Sequence, residues 1–457
     1  MKIQRTLLGV IAAALITCAP AHYSRYEPAA LPAEKPIGRV FLIGDAGQVA
    51  FEEIEDEAQP EKAEERVEKK QRTLWRPRAA PVPAGSAAKL FKDIVEETIA
   101  LATRSAKETP ILKTLTGDAK SRATLAPGVT PTIVWLGDNV YESGVPKYPG
   151  EEGYRDGTLT PLGEEYVQAA AIIVMQAQIS VEAKADGLFV PGNHDWHRAW
   201  IRGPGGRVRV IEQGKIIARF VAQLKREHKL GDVEIRILPS GGCPGPETFS
   251  ITLADKGQVD IVALDTDWLL DDNPDEGCAP GECGPCPSAT REQVYTSLAA
   301  KLSQAGPRDT VIVAAHHPLL TYGPHGGRIF WDPKTWLRWL PLSVQDMAHP
   351  MNRRMRKGIE SAFLPEKDQP LIFAAGHEHN LQVLRKDEKG PFLLISGAAS
   401  RLSPLRAGSK GLLGVRKNGY MIVDFFRHGR VLLYVVEIDP DGTVFRNPPL
   451  ELRAARS

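Results

Sequence analysis

The sequence predicts an α/β protein built around one catalytic unit, and three observations carry that prediction. Short apolar runs bounded by Gly, Pro or Asp recur along the chain, helical periodicity lies between several of them, and five short polar motifs each follow directly on an apolar run. The runs are Val40–Ile43, Ile133–Leu136, Leu188–Val190, Val259–Leu264, Val311–Ala314, Leu371–Ala374 and Phe392–Ile395, and they read as buried strands. Helical periodicity spans 88–106, 164–183, 209–228 and 290–305, the last opened by Ser288 and Thr290 as candidate caps. Strands alternating with helices make an α/β core, in which ligands gather beyond the carboxyl ends of the strands. From Met421 onward, two strand-like runs separated by His428-Gly429-Arg430 predict a hairpin that completes a sheet, with a further turn from Asp439 to Gly442.

Length alone would divide 457 residues into about three domains. The polar motifs, however, stretch from Asp45 to His379, so one catalytic domain over 38–450 is expected, with insertions at about 51–87, 270–288 and 322–357. Lys and Arg total 57 against 56 Asp and Glu, which gives the whole chain no electrostatic footprint for nucleic acid. At the N-terminus, Lys2 and Arg5 precede an apolar run from Leu7 to Thr17, too short to span a bilayer and the right size for a signal-peptide core. Export follows, to a bacterial-type cell envelope or the medium. Two processing readings stay open. Leu15-Ile16-Thr17-Cys18 resembles a lipoprotein box, which would make a lipid anchor at Cys18 the one membrane link, whereas Ala19-Pro20-Ala21 is a cleavage site that would end a signal peptide at residue 21. Residues 22–37 then read as a flexible Pro/Ala tether.

The insertions differ in character. Residues 52–72 are rich in Glu, Lys and Arg and lead into the Pro/Ala-rich stretch Arg76–Gly85, a solvated helix followed by a loose linker. Gly277–Pro287 is too poor in apolar residues to order itself, yet carries Cys278, Cys283 and Cys286. Together with Cys243 these form either two disulfides of undetermined pairing or a structural zinc on four thiolates. The third insertion, Tyr322 to Lys357, holds Trp331, Trp336 and Trp339 and the basic cluster Arg353-Arg354-Met355-Arg356-Lys357. Its aromatics are local core or a substrate wall, and its charges are a solvated face or a lure for anions.

The five motifs are Gly44-Asp45-Ala46-Gly47, Gly137-Asp138-Asn139-Val140-Tyr141, Gly192-Asn193-His194-Asp195, Val313-Ala314-Ala315-His316-His317-Pro318 and Gly376-His377-Glu378-His379. Singly, a Gly-Asp pair is a common turn and a His on an apolar element is an ordinary core residue. In this order at strand ends they supply Asp45, Asp138, Tyr141, Asn193, His316, His377 and His379 as candidate metal donors. Phosphoryl transfer needs chiefly charge neutralisation and positioning, and a pair of metals sharing one carboxylate provides both.

On these motifs the chain resembles the calcineurin-like metallophosphoesterases and, within them, the small tartrate-resistant-type purple acid phosphatases. The common family opening Asp-x-His is here Asp45-Ala46-Gly47, and the missing His is exchanged for Tyr141, as in the purple branch. Gly137-Asp-Asn-Val-Tyr-Glu-Ser-Gly144, Gly376-His-Glu-His-Asn-Leu-Gln-Val383 and Ile395-Ser-Gly-Ala398 extend the likeness beyond bare ligands.

The resemblance implies a β-sandwich of two mixed sheets flanked by helices in an α-β-β-α arrangement with inserted loops. It implies that Asp138 bridges two metals, that Asp45, Tyr141 and His379 complete the first site, and that Asn193, His316 and His377 complete the second. Three anionic oxygen donors suit Fe(III) at the Tyr141 site, and the neutral donors of the second suit Zn(II), Fe(II) or Mn(II). His194 would contact the phosphate or protonate the leaving group, with Asp195 orienting it, and His325 would be a second active-site histidine. His317 has either a supporting or a direct role, and Trp196 and His197 line the pocket or simply pack. The activity implied is an exported acid phosphatase in which a hydroxide held by the metals attacks phosphomonoesters of small molecules or proteins. A phosphodiesterase or nucleotidase is the alternative. A non-catalytic surface-binding module is a third, and it predicts lost ligands where all are present.

Overall fold

The computed structural model describes residues 22–48, 109–155, 158–197, 205–326, 343–363 and 370–455. The signal segment with Cys18, the insertion 51–87, the periodic segment 88–106 and Trp331, Trp336 and Trp339 lie outside the described residues. Two eight-stranded mixed sheets face each other. One runs β17 (Val444–Arg446), β16 (Val431–Ile438), β15 (Asn418–Phe425), β2 (Gly38–Ile43), β3 (Thr132–Leu136), β6 (Asp186–Val190) and β7 (Ile235–Ile237), with β18 (Leu450–Arg453) also on β16. Its four strands from β2 to β7 are parallel, and β15, β16, β17 and β18 extend it antiparallel.

The other sheet runs β1 (Tyr23–Ser24), β14 (Gly411–Val415), β12 (Leu381–Arg385), β13 (Phe392–Ser396), β11 (Ile372–Ala375), β10 (Thr310–Ala314), β9 (Gln258–Ala263) and β8 (Glu247–Thr252). Here β9, β10, β11 and β13 are parallel. A small ribbon pairs β4 (Tyr154–Arg155) with β5 (Thr158–Leu159).

Period-two side-chain alternation explains why the central strands read as unbroken apolar runs. Val40, Leu42, Val134 and Leu136 pack between the sheets against Ile261, Ile312, Ala374 and Leu394. Their neighbours Phe41, Ile43, Ile133 and Trp135 point the other way, into a core shared with the helices. The helices are α1 (Pro110–Lys120), α2 (Pro161–Ala183), α3 (Gly206–Arg226), α4 (Thr266–Leu269), α5 (Arg291–Ser303) and α6 (Pro350–Ala362). Thr160 caps α2 ahead of Pro161, and Thr290 with Gln293 forms a full capping box on α5, so Thr290 rather than Ser288 is the cap. The arrangement is the predicted α/β sandwich of two mixed sheets flanked by helices.

Two expectations change and one open alternative closes. Residues 22–37 are not a free tether. Tyr23–Ser24 pair with Gly414 and Leu413, and backbone N–H groups of Ala29 and Ile37 donate to Pro449 at 2.8 Å and Phe425 at 2.7 Å. The edge strand β14 offers unpaired backbone groups, and an edge of that kind recruits whatever segment reaches it. The basic cluster, read within an insertion, begins the amphipathic helix α6: Met355, Ile359 and Ala362 are buried while Arg353, Arg354 and Lys357 are exposed. The cysteines pair as disulfides Cys243–Cys286 and Cys278–Cys283, which sets the zinc reading aside. Arg207 is buried beside them and donates to Gly284 O at 2.5 Å and to Cys286 Sγ at 3.0 Å, fastening the loop to α3. No helix among the described residues is long and apolar enough to cross a membrane.

Candidate metal centre

The loops that leave β2, β3, β6, β10 and β11 meet at one edge of the sandwich, and every expected donor is on one of them. Asp45, Asp138 and His377 adopt left-handed backbone with φ of 60°, 54° and 69°. Such conformations cost on the order of 1–3 kcal/mol each and persist where the surroundings enforce them, typically at functional sites. Gly137 (φ +91°) shows the crowding: a Cβ there would sit 2.4 Å from His316 Nδ1.

Two donor clusters form, joined by Asp138. In the first, the Tyr141 hydroxyl lies 3.0 Å from Asp45 Oδ1, 3.0 Å from Asp138 Oδ2 and 3.2 Å from His379 Nε2. His379 Nε2 is in turn 3.4 Å from Asp45 Oδ1. In the second, Asn193 Oδ1 is 2.8 Å from His316 Nε2 and 3.0 Å from His377 Nδ1, and those two nitrogens are 3.2 Å apart. His316 Nε2 stands 3.4 Å from Asp138 Oδ1. One carboxylate oxygen of Asp138 therefore faces each cluster.

The donors fit metal ions on chemical grounds. Bonds of about 2.0–2.2 Å to N and O donors put neighbouring donors about 3 Å apart, which is the spacing seen in both clusters. Ligating atoms of Asp45, Asp138 and His316 all lie within 4.8 Å of one another, and all three residues are buried. His316 is already oriented: its Nδ1 faces the Leu136 carbonyl at 2.9 Å, which fixes Nδ1–H as donor and leaves the Nε2 lone pair to the cluster. Without a cation the assembly is electrostatically costly. Burial, then the neighbouring Asp138 charge, pushes Asp45 well above the usual carboxylate range, and the same two causes raise Tyr141. Burial opposes ionisation of Asp138 too, but the imidazoles of His316 and His194 outweigh it and bring that carboxyl down to about 2. A bound cation reverses this logic and favours every anionic donor at once.

His194 stands at the rim of the first cluster. Its Nδ1 donates to the Glu142 carbonyl at 2.7 Å, its ring meets Tyr141 edge-on with centroids 4.2 Å apart, and its Nε2 is 4.0 Å from Asp138 Oδ2. Asp195 does not orient it, contrary to expectation. Its carboxylate instead accepts from Gly192 N at 2.8 Å and from Asn139 N and Val140 N at 3.1 Å, tying the second and third motif loops together. Successive residues in a tight turn point apart, so sequence adjacency to His194 misled the reading. His317 is fully buried between Thr266 Oγ1, 2.8 Å away, and Gln345 Oε1, and its ring packs on His377 at 4.5 Å. Burial holds it down to about 3, so it is a neutral support behind the donors. Trp196 is buried and donates to Asp265 Oδ2 at 2.8 Å, so it packs.

Sequence reasoning did not single out Gln48, Glu142 or Arg401. Arg401 contacts Gln48 and Glu142 and lies 4.8 Å over the Tyr141 ring. It also missed Glu378, although a carboxylate between two candidate ligands in Gly-His-Glu-His was a usable signal.

No protein-family model matches the chain, and no curated protein matches it. Among solved structures it is similar to GAP50, the anchor in the inner membrane complex of Plasmodium, at 14% identity over 92% of this chain and 90% of that one, TM-score 0.42. It is also similar to the purple acid phosphatase PPD1 from yellow lupin (Lupinus luteus) seeds, at 12% identity over 91% of this chain and 54% of that one, TM-score 0.41. A third is the phosphopantetheinyl hydrolase PptH of Mycobacterium tuberculosis, at 14% identity over 62% of this chain and 83% of that one, TM-score 0.27. Likenesses this weak assign no activity.

Proposed function

We propose that the chain is an exported phosphoester hydrolase with two metal ions, acting as an acid phosphatase on phosphomonoesters of small molecules or proteins. The observation that carries this reading is the pair of donor clusters sharing Asp138, one through each carboxylate oxygen. Asp45, Asp138, Tyr141 and His379 would hold the first ion, and their anionic oxygens suit Fe(III). Asp138, Asn193, His316 and His377 would hold the second, as Zn(II), Fe(II) or Mn(II). When bound, two such cations would neutralise phosphate charge and lower the pKa of a bound water.

The chain's own residues do the rest. His194 directs Nε2 across the centre because the Glu142 carbonyl holds its Nδ1–H, so when the ring is protonated on both nitrogens it can donate to a phosphate oxygen or pass a proton to the leaving group. Arg401 braces Glu142, and through it His194. The two disulfides support an oxidising compartment and hence export.

The test is hydrolysis of 4-nitrophenyl phosphate and its bis-ester by purified protein of measured metal content, beside Asp138→Asn. Loss of one electrostatic stabiliser commonly costs about 10²–10³ in turnover. Asp138 serves both clusters, so its loss should match or exceed that, with monoester the better substrate. Full activity in Asp138→Asn would sink the shared-carboxylate assignment, and a preference for the bis-ester would move the reading to a phosphodiesterase.

A further inference from the structure

His325 reaches the second cluster from the short turn Pro324–Gly326, and its ring lies against His377 with centroids 4.2 Å apart and planes inclined by 36°. Two carboxylates from separate parts of the chain converge on it. Asp346, just before α6, places Oδ1 2.9 Å from His325 Nδ1. Glu378, between the two donors of the last motif, accepts the His325 main-chain N–H at 3.0 Å. The His325 carbonyl accepts from Met347 N at 3.0 Å, so the residue is held at N–H, C=O and ring.

The strut itself is well built. Glu378 is fully buried, and its Oε1 also accepts from the Thr321 hydroxyl at 3.1 Å. That hydroxyl in turn accepts from Gly323 N at 2.9 Å and Gln382 Nε2 at 3.0 Å. At Gly323 a Cβ would come within 2.2 Å of Glu378 Oε2, so the loop passes over the carboxylate only because it carries no side chain there. Burying a carboxylate is costly unless its oxygens are engaged, and here both hydrogen bonds to Oε1 come from the loop that carries His325, while Oε2 has no hydrogen-bond partner among the described residues. Asp346 is likewise almost buried, at 7% side-chain exposure, while the imidazole it holds keeps 26%. A group fixed at three points yet open to solvent is preorganised rather than merely packed.

We propose that Glu378 and Asp346 are positioning residues that seat His325 on His377, so that its ring meets a phosphate ester bound at the centre. The catalytic half of this rests on the phosphoester hydrolase reading, and the positioning half does not. The experiment compares His325→Ala, Asp346→Ala, Glu378→Ala and the double variant His325→Ala/Asp346→Ala, with Asp346→Asn and Glu378→Gln as conservative controls. Kinetics use phenyl and 4-nitrophenyl phosphate, and metal content and crystal structures are determined for each variant.

Outer partners of an active-site group typically matter by 10–100-fold, so Asp346→Ala and Glu378→Ala should each lower kcat on phenyl phosphate by about tenfold at unchanged metal content. The double variant should be no slower than His325→Ala, and Glu378→Gln should recover most of the rate because its amide oxygen still accepts from His325 N–H. In the crystals the ring should leave His377. A ring that stays in place in the Asp346 and Glu378 variants overturns the positioning whatever the activity, and additive losses in the double variant overturn action through His325. Wild-type protein without Asp138-dependent hydrolysis would overturn the catalytic half alone. Asp346→Ala carries the test should Glu378→Ala fail to fold.

Discussion

Strand β2 has buried charge at both ends and balances it in opposite ways. At the entry to β2, Arg39 meets Asp424 of β15 directly across the ladder, with Nε–Oδ1 at 2.6 Å and Nη2–Oδ2 at 2.7 Å. The planar fork against a carboxylate is a self-contained solution that needs nothing from outside the chain. At the exits of β2 and β3, Asp45 and Asp138 are as deeply buried, but their ion-pair partners among the described residues are imidazoles. Three exit residues also hold strained left-handed backbone. The contrast teaches where the sandwich is built for stability and where it gives stability up to gather donors that could hold a cation.

Two substitutions break the comparison from either side. Tyr141→Phe removes one donor of the first cluster and leaves packing nearly intact. Since losing even an outer partner costs 10–100-fold in metal affinity or activity, losing a donor should cost about 100-fold or more. Any tyrosinate-to-Fe(III) absorption band should vanish with it, and the melting temperature of metal-free protein should fall, because the phenol, kept protonated by burial, is the hydroxyl that hydrogen-bonds the buried Asp45 and Asp138 carboxylates. Retained absorption and rate would mean that Tyr141 is not a donor. Arg39→Met does the converse. It strands Asp424 in the core, and an uncompensated buried charge costs about 3–5 kcal/mol, readable as a fall in urea midpoint. The kcat/KM of the folded fraction should hold, and a fall in it would mean that the two ends are coupled.

This contrast also explains what the sequence disclosed. The central strands were legible because both faces are buried and the runs are locally apolar, and the motif residues were legible because each follows such a run. The structure gathers all seven candidate donors at one edge. What escaped was non-local. Arg39 and Asp424 pair across 385 positions, Asp346 reaches His325 from a loop with no motif, and β12, Leu381–Arg385, is hidden because its first three residues read as the end of the last motif, Gly376–Val383. Asp195 was misassigned for the reverse reason, since proximity in sequence suggested a contact that turn geometry forbids.

The smallest expected effect sharpens the entry side of the comparison. Asp186 opens β6, accepts the Glu234 main-chain N–H at 2.8 Å, and is raised to about 6, mainly by burial. The unfolded carboxyl ionises near 4, so between roughly pH 4 and pH 6 the folded state binds more protons than the unfolded one. Stability from this group is therefore fully present below pH 4 and falls as pH rises through 6. Asp186→Asn keeps an oxygen for the Glu234 N–H and has no proton to lose. Its stability relative to wild type should climb from pH 4 to pH 6 and level off above about 7, with activity at each pH unchanged apart from folding. A difference that stays flat across that range would mean that water reaches the carboxylate freely, and that Arg39 alone among the entry-side charges is held by burial.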